Sequence, residues 1–223
     1  MLEIHEAASL VRTGDLLLFR GSTLADRTIR TISNAPVNHV AVALVIDDLP
    51  PLLFHAEMSR KQLDVWTGGF HRGVQLHDLE QAVTRWHDGY GQEVWLRQLA
   101  PEVGKEQEDA ALRSVARLDG VAYPAAARAL GRWFKGRDGY LPHKQRGLQV
   151  RPEDAFCSEV VSMVLQDMGV LHTDRKAHWY DPGTFWSGAY LPLKDGWSYG
   201  PEIAVGAPQD PDREVPSARD RWR

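Results

Sequence analysis

Two apolar runs separated by a short turn constrain the fold of this chain more than any other feature. The first spans residues 37–46 and the second spans Leu52–Glu57, and both consist mainly of Val, Leu, Ile, Ala and Phe. Aliphatic and β-branched residues in runs of this length favour strands. Pro50 and Pro51 stand between them, and proline cannot donate a hydrogen bond within a central strand. The sequence therefore predicts an antiparallel hairpin inside a sheet.

Further strands and helices follow from the same criteria and give an α+β class. Strands are predicted at 16–19, 73–77, 93–97 and 190–193, and helices at 23–32, 78–87, 101–118 and 153–168. We expect Leu24, Ile29 and Ile32 to form the inner face of the first of these helices.

A chain of 223 residues that is 43% hydrophobic can bury a full core. We therefore expect one domain over 1–205. A Pro-, Asp- and Arg-rich tail over 206–223 has no apolar pattern and is expected to be disordered. The segment 135–151 has no periodicity and is expected to form a loop beside the helix that follows it.

The only cysteine of the chain, Cys157, lies in the first turn of the helix predicted at 153–168. One cysteine excludes an intramolecular disulfide and a Cys-rich zinc site, and it suits a reducing compartment. Unpaired N–H groups and the helix dipole at a helix start lower a cysteine pKa, so this position predicts a nucleophile. The alternative is that Cys157 is a small buried apolar residue.

Two histidines on the predicted hairpin are candidates for the base that such a thiol needs. His39 lies at the start of the first strand. Side chains alternate along a strand, so His55 and Glu57 share one face of the second. Either could hydrogen-bond the His39 imidazole and fix its tautomer, and both could equally belong to a solvated edge.

Metals, cofactors and large charged partners find little support in the sequence. His71, His77 and His87 are expected at the surface, and the histidines lack metal-binding spacing on a helix, so we expect no metal and no cofactor. A net charge of −4 gives no reason to expect nucleic acid. The first ten residues lack the basic, apolar pattern of a signal peptide, and no apolar run reaches a membrane-spanning length. We therefore expect a cytoplasmic protein, unless it is exported by a route that leaves no N-terminal signal.

Four short segments together resemble the permuted papain-like branch of the NlpC/P60 superfamily, which includes the YiiX-like and lecithin:retinol acyltransferase-like proteins. They are Gly14-Asp15, Asn38-His39-Val40-Ala41-Val42, Phe54-His55-Ala56 and Phe156-Cys157-Ser158-Glu159-Val160-Val161. The resemblance implies a circularly permuted papain-like fold, in which an antiparallel sheet packs against the helix that carries the nucleophile. It also implies Cys157 as nucleophile, His39 as general base and acid, and His55 at the third polar position, with Glu57 as the alternative.

The expected chemistry is therefore acyl transfer to and from a thiol. A cysteine hydrolase would cleave an amide, peptide or thioester through an acyl-enzyme. The backbone N–H of Cys157 and a second donor, for which Tyr123 is the candidate, would hold the oxyanion. An acyltransferase of the same fold and a catalytically inactive binding module remain open, as does the substrate, which could be a small molecule, a peptide or a lipid amide or ester.

Overall fold

Six strands form one antiparallel sheet, in the order β4-β3-β2-β1-β5-β8, and two short strands, β6 and β7, form a second. This computed structural model describes residues 1–124 and 152–208. The strands are β1 (Leu16–Arg20), β2 (His39–Leu44), β3 (Leu52–Glu57), β4 (Gly73–Asp78), β5 (Glu93–Arg97), β6 (Leu99–Ala100), β7 (Ser198–Tyr199) and β8 (Ile203–Val205). The helices are α1 (Ile4–Leu10), α2 (Leu24–Ser33), α3 (Leu79–Thr84), α4 (Lys105–Leu118) and α5 (Cys157–Asp167). The α+β class with an antiparallel sheet is confirmed.

The predicted hairpin is present at the centre of this sheet. β2 pairs with β3 from Val42 opposite Phe54 to Leu44 opposite Leu52, and β1 pairs with β2 on its other side. Every residue of β2 and β3 is buried, as their composition predicts. Beyond Val42 the register with β3 ends, so the two strands part toward His39.

Helices cover both faces of the sheet, and alternation along each strand assigns every side chain to one of them. Val40, Val42 and Leu44 of β2 belong to the core shared with α4 and α5. Ala41 and Ala43 belong to the core shared with α1 and α3. α5 therefore packs against the sheet, and the two faces carry separate apolar cores.

Two secondary-structure predictions were wrong in detail. The side chains of Leu24, Ile29 and Ile32 on α2 are 81%, 41% and 39% exposed, so they do not form an inner face. A capping box closes the start of α2, in which Thr23 accepts from the backbone of Asp26 and Asp26 accepts from the backbone of Thr23. Such a box stabilises a helix locally without burying an apolar face.

The strand predicted at 190–193 is also absent. Leu193 forms an isolated bridge with Leu171 instead. Pro192 lacks the N–H group that a ladder requires, which accounts for the difference.

Several predictions concern residues that the structure does not describe. The loop expected at 135–151 and residues 209–223 of the expected tail lie outside the described ranges. Residues 206–208 are described, and the N–H of Gly206 donates to the carbonyl of Leu2. The division into a domain at 1–205 and a disordered tail stays a prediction. Among residues 1–124 and 152–208, every helix is too short or too polar to cross a bilayer.

Candidate active site

The candidate nucleophile Cys157 is the first residue of α5. The helix start is fixed by the Glu159 side chain, whose Oε2 accepts from the N–H of Phe156 at 3.1 Å. The segment before α5 is held by a backbone hydrogen bond, in which the N–H of Ala155 donates to the carbonyl of Ala122 at 3.0 Å. Cys157 thus occupies the helix start that its sequence position predicts.

The sulfur of Cys157 lies where β2 and β3 part. The N–H of Ala43 donates to the backbone carbonyl of Asp15, which directly precedes β1. Successive amides of a strand point to opposite sides, so the N–H of Val40 points toward β3. The register with β3 stops at Val42, and the Val40 N–H points at the thiol. The sulfur therefore fills the fork between the two strands, next to the backbone of His39.

Burial sets the thiol's ionisation, contrary to the sequence-based prediction of a lowered pKa. Cys157 is 4% exposed, and this desolvation raises its pKa from 9.0 to about 11. The backbone N–H groups of Val40, Ser158 and Cys157 itself favour the thiolate, but their combined effect is smaller than that of burial. At neutral pH the Cys157 side chain is therefore a neutral thiol.

His39 is held in place by a second imidazole and an indole. Its Nε2 lies 2.8 Å from Nδ1 of His55. The ring of Trp86 lies 4.3 Å from the His39 ring and 5.6 Å from the His55 ring, measured between centroids. Trp86 therefore shields the His39–His55 hydrogen bond from water.

The row of hydrogen bonds continues across β3 and β4. Nε2 of His55 lies 3.1 Å from Nδ1 of His77, and Nε2 of His77 lies 3.1 Å from Oε1 of Gln75. The amide of Gln75 is oriented by its NH₂ group, which donates to the backbone carbonyls of Glu57, Ser59 and Gly73. This orientation leaves Oε1 to face His77 as an acceptor.

That acceptor fixes the proton positions in all three rings. Because Gln75 Oε1 only accepts, Nε2 of His77 carries the hydrogen and its Nδ1 accepts. His55 must then donate from Nε2 and accept at Nδ1, and His39 must donate from Nε2. A neutral His39 consequently has an unprotonated Nδ1, which is the ring nitrogen nearer its own backbone. We call His39, His55, His77 and Gln75 the imidazole row.

The imidazoles of the row are neutral near pH 7. Desolvation lowers the pKa of His39 to about 3 and that of His77 to about 4. It also lowers the pKa of His55, and the neighbouring imidazoles add to the effect. Neutral rings are what the tautomer assignment requires.

Glu57, the alternative third residue, lies beside the row rather than at its end. Its Oε2 is 3.8 Å from Nε2 of His55 and 3.9 Å from Nδ1 of His77. The position next to His39 is taken by His55. The structure thus brings His39, His55 and Glu57 together on one face of the sheet, as alternation predicts.

His77 and His87 were predicted at the surface, and both predictions were wrong. His77 is 0% exposed and His87 is 5% exposed. The signal for His77 was present in the sequence, because Gln75 and His77 are two residues apart on a predicted strand and so share a face. Only the pairing of β3 with β4, with His55 opposite Gln75, shows that this face carries the row. His71 is partly exposed, and its Nε2 lies 3.2 Å from Asp64.

A pocket opens onto the row at His39. Its wall includes Asp26, Glu57, Trp86, Tyr90 and Tyr123 as well as His39. Burial, followed by the neighbouring Cys157 and Glu159, raises the pKa of Tyr123, so its phenol keeps its proton. The buried indole N–H of Trp86 has no hydrogen-bond partner among the described residues. The pocket wall therefore includes two neutral side chains that can donate: Tyr123, near Cys157, and Trp86, against His39.

The thiol and the imidazole reach this place from opposite faces of the sheet. Cys157 belongs to the core of α4 and α5, whereas the His39 ring packs against Phe19 and Trp86 on the other face. Among the described residues, no hydrogen bond joins the sulfur to an imidazole. Catalytic hydrogen bonds of this kind often form only once substrate is bound.

Comparisons with known proteins do not show a family for this chain. No family model matches it, and no curated protein matches it. A crystal structure of the metalloprotein YiiX from Escherichia coli O157:H7 resembles it with a TM-score of 0.46 and 17% sequence identity. The match covers 70% of this chain and 66% of that protein, so the chain spans slightly less than two thirds of its length. This likeness is too distant to define a fold or an activity, and the permuted papain-like assignment stays a prediction.

Proposed function

We propose that this protein is a cysteine-dependent hydrolase that cleaves amide, peptide or thioester bonds through an acyl-enzyme. One observation carries the proposal: the sulfur of Cys157 lies at the backbone N–H of Val40, directly after His39, whose unprotonated Nδ1 is fixed by the imidazole row. On this proposal Cys157 is the nucleophile, His39 the base and His55 the orienting group, and all three act at one end of β2.

The first half of the reaction begins from a neutral pair, because the thiol pKa is raised and the imidazole pKa is lowered. Nδ1 of His39 takes the thiol proton as Sγ attacks the carbonyl carbon. His55 accepts from Nε2 of the imidazolium that results and holds its orientation. The leaving amine or thiol then takes the proton from Nδ1, and a thioester to Cys157 remains.

The second half releases the acyl group. Nδ1 of His39 takes a proton from water, the hydroxide attacks the thioester, and the thiolate leaves and recovers the proton. In both halves the oxyanion needs donors. Tyr123 and the indole of Trp86 line the pocket and keep their protons, so they suit that role.

Intact-mass spectrometry after incubation with acyl thioesters, activated esters and peptide amides tests this proposal. We expect an adduct of one acyl group on the wild-type chain and none on Cys157→Ser, which keeps a hydrogen-bond acceptor of similar size in the fork. His39→Ala should slow adduct formation by about 10²- to 10⁴-fold, the usual contribution of general-base catalysis.

His5→Ala is the matched control, because His5 is an exposed histidine on α1, outside the site. It should acylate at the wild-type rate. The proposal is contradicted if Cys157→Ser acylates as fast as wild type, or if no donor acylates the folded wild-type chain.

A further inference from the structure

The second link of the imidazole row has the composition of a metal site. Nε2 of His55, Nδ1 of His77 and a carboxylate oxygen of Glu57 lie within 4.8 Å of one another, and all three residues are buried. Two imidazoles and one carboxylate are a ligand set that Zn²⁺ and neighbouring transition metals bind. Sequence spacing did not reveal this set because the ligands come from two different strands.

The distances are close to those that a single bound ion requires. Zinc–nitrogen and zinc–oxygen bonds of about 2.0–2.2 Å place tetrahedral ligand atoms about 3.3–3.6 Å apart. The ligand atoms here are separated by 3.1 Å, 3.8 Å and 3.9 Å. Small rotations of the two rings and the carboxylate would direct all three donors at one point. Glu57 also lines the pocket that opens at His39.

A metal and the imidazole row compete for the same nitrogen. Nε2 of His55 carries the hydrogen that it donates to His77. To coordinate a metal, this nitrogen must lose that hydrogen so that its lone pair is free. A neutral, metal-bound His55 carries its proton on Nδ1, which faces the Nε2–H of His39 at 2.8 Å. Two donors would then oppose each other, so the His39 proton must move from Nε2 to Nδ1. No proton is gained or lost in this exchange.

We propose that His55, Glu57 and His77 form a transition-metal site whose occupation switches His39 to the tautomer that cannot act as a base. Binding depends only on the three ligands. The inhibitory consequence rests on the function proposed above, because it takes His39 Nδ1 to be the base for Cys157.

Binding can be measured without the reaction in the full chain carrying Cys157→Ser, which removes the thiol as a competing ligand. We expect Co²⁺ to bind at one equivalent, with the visible absorption of a tetrahedral nitrogen and oxygen site, and Zn²⁺ to displace it. Glu57→Gln keeps the size of the side chain and should weaken Co²⁺ binding at least about tenfold. His71→Ala removes a histidine from a different cluster, with Asp64 and Asp119, and should leave affinity unchanged.

The switch has its own readout in the ¹⁵N shifts of the His39 ring. Without metal, Nε2 should carry the hydrogen, and with one equivalent of Zn²⁺ Nδ1 should carry it. Equal Co²⁺ affinity in Glu57→Gln and its parent overturns the site. Binding without a change of the His39 tautomer overturns the switch. If the metal result holds while wild type forms no acyl adduct, the hydrolase proposal fails and the site stands.

Discussion

At the scale of single residues, the most informative side chain is Gln75, which contacts neither the thiol nor His39. Three backbone carbonyls hold its amide group, and its oxygen therefore accepts from His77. That single acceptor decides which nitrogen carries hydrogen in each of the three imidazoles. The tautomer of His39 is thus set from a position two strands away.

The sequence identified Cys157, His39 and His55 as candidates but gave the wrong sign for the thiol pKa. A helix start favours a thiolate, and the backbone N–H groups around the sulfur do act in that direction. How much water reaches the sulfur depends on the packing of α5 against β2, which local sequence does not determine. Desolvation depends on that packing, and here it changes the thiol pKa more than the backbone N–H groups do.

The raised thiol pKa predicts slow alkylation of Cys157 by iodoacetamide at neutral pH. A rise from 9.0 to about 11 lowers the thiolate fraction at pH 7 about 100-fold relative to an unperturbed thiol. The alkylation rate of the folded chain should therefore rise through pH 9 and above without a plateau near neutrality. The chain unfolded in denaturant is the control and should react with the pH dependence of an ordinary thiol. A plateau below pH 8 in the folded chain would show a preformed thiolate and contradict the expectation.

At the scale of elements, the fork between β2 and β3 creates the site. Continuous pairing would use the N–H of Val40 within the ladder, whereas here it faces the sulfur. The two strands and their antiparallel pairing were predictable from apolar runs and the Pro50-Pro51 turn. The point at which their register ends was not, because neither strand carries a local signal for it, and Cys157, which lies there, comes more than a hundred residues later.

The start of β4 is fixed by Gly73, and this predicts a destabilising substitution. Gly73 has φ of +112°, and a Cβ there would collide with the carbonyl oxygen of Val121, which accepts from Val74. Gly73→Ala should lower the free energy of unfolding by more than the roughly 1–2 kcal/mol of left-handed strain alone.

Gly68→Ala is the matched control for that measurement. Gly68 has φ of +68°, and a Cβ there would meet no atom within 4 Å, so only the strain remains. Urea unfolding of both variants separates the two contributions. Equal destabilisation would mean that the close approach of Val121 to β4 is unimportant.

At the scale of the whole molecule, the sheet separates two apolar cores. The candidate site lies at the start of β2, where residues of both cores meet. The helix that bears the thiol packs on one face, and the imidazole row and Trp86 occupy the other. Binary patterning predicted strands and helices, and hence the α+β class. It did not predict which face each helix covers, and it wrongly placed the apolar side chains of α2 inside.

The difference in burial between α5 and α2 predicts effects of very different size for two leucine substitutions. Leu165 on α5 is 0% exposed and belongs to the core, whereas Leu24 on α2 is 81% exposed. Leu165→Ala should lower the free energy of unfolding by about 2–5 kcal/mol, because it leaves a cavity under the thiol's helix. Leu24→Ala should change it by less than about 0.5 kcal/mol. Thermal or urea unfolding of both variants measures this, and a large loss for Leu24→Ala would mean that α2 is packed in solution.

The groups that point at the sulfur are main-chain amides, those of Val40, Ser158 and Cys157 itself. An amide hydrogen remains whichever amino acid other than proline occupies a position. Replacing Val40 or Ser158 therefore alters the shape around the thiol while the polarity directed at it survives. The imidazoles differ in this respect, because each belongs to a side chain and is lost when its histidine is replaced. The polarity around the sulfur should accordingly survive substitution of these neighbours, whereas the hydrogen bonds of the imidazole row should not survive loss of any one histidine.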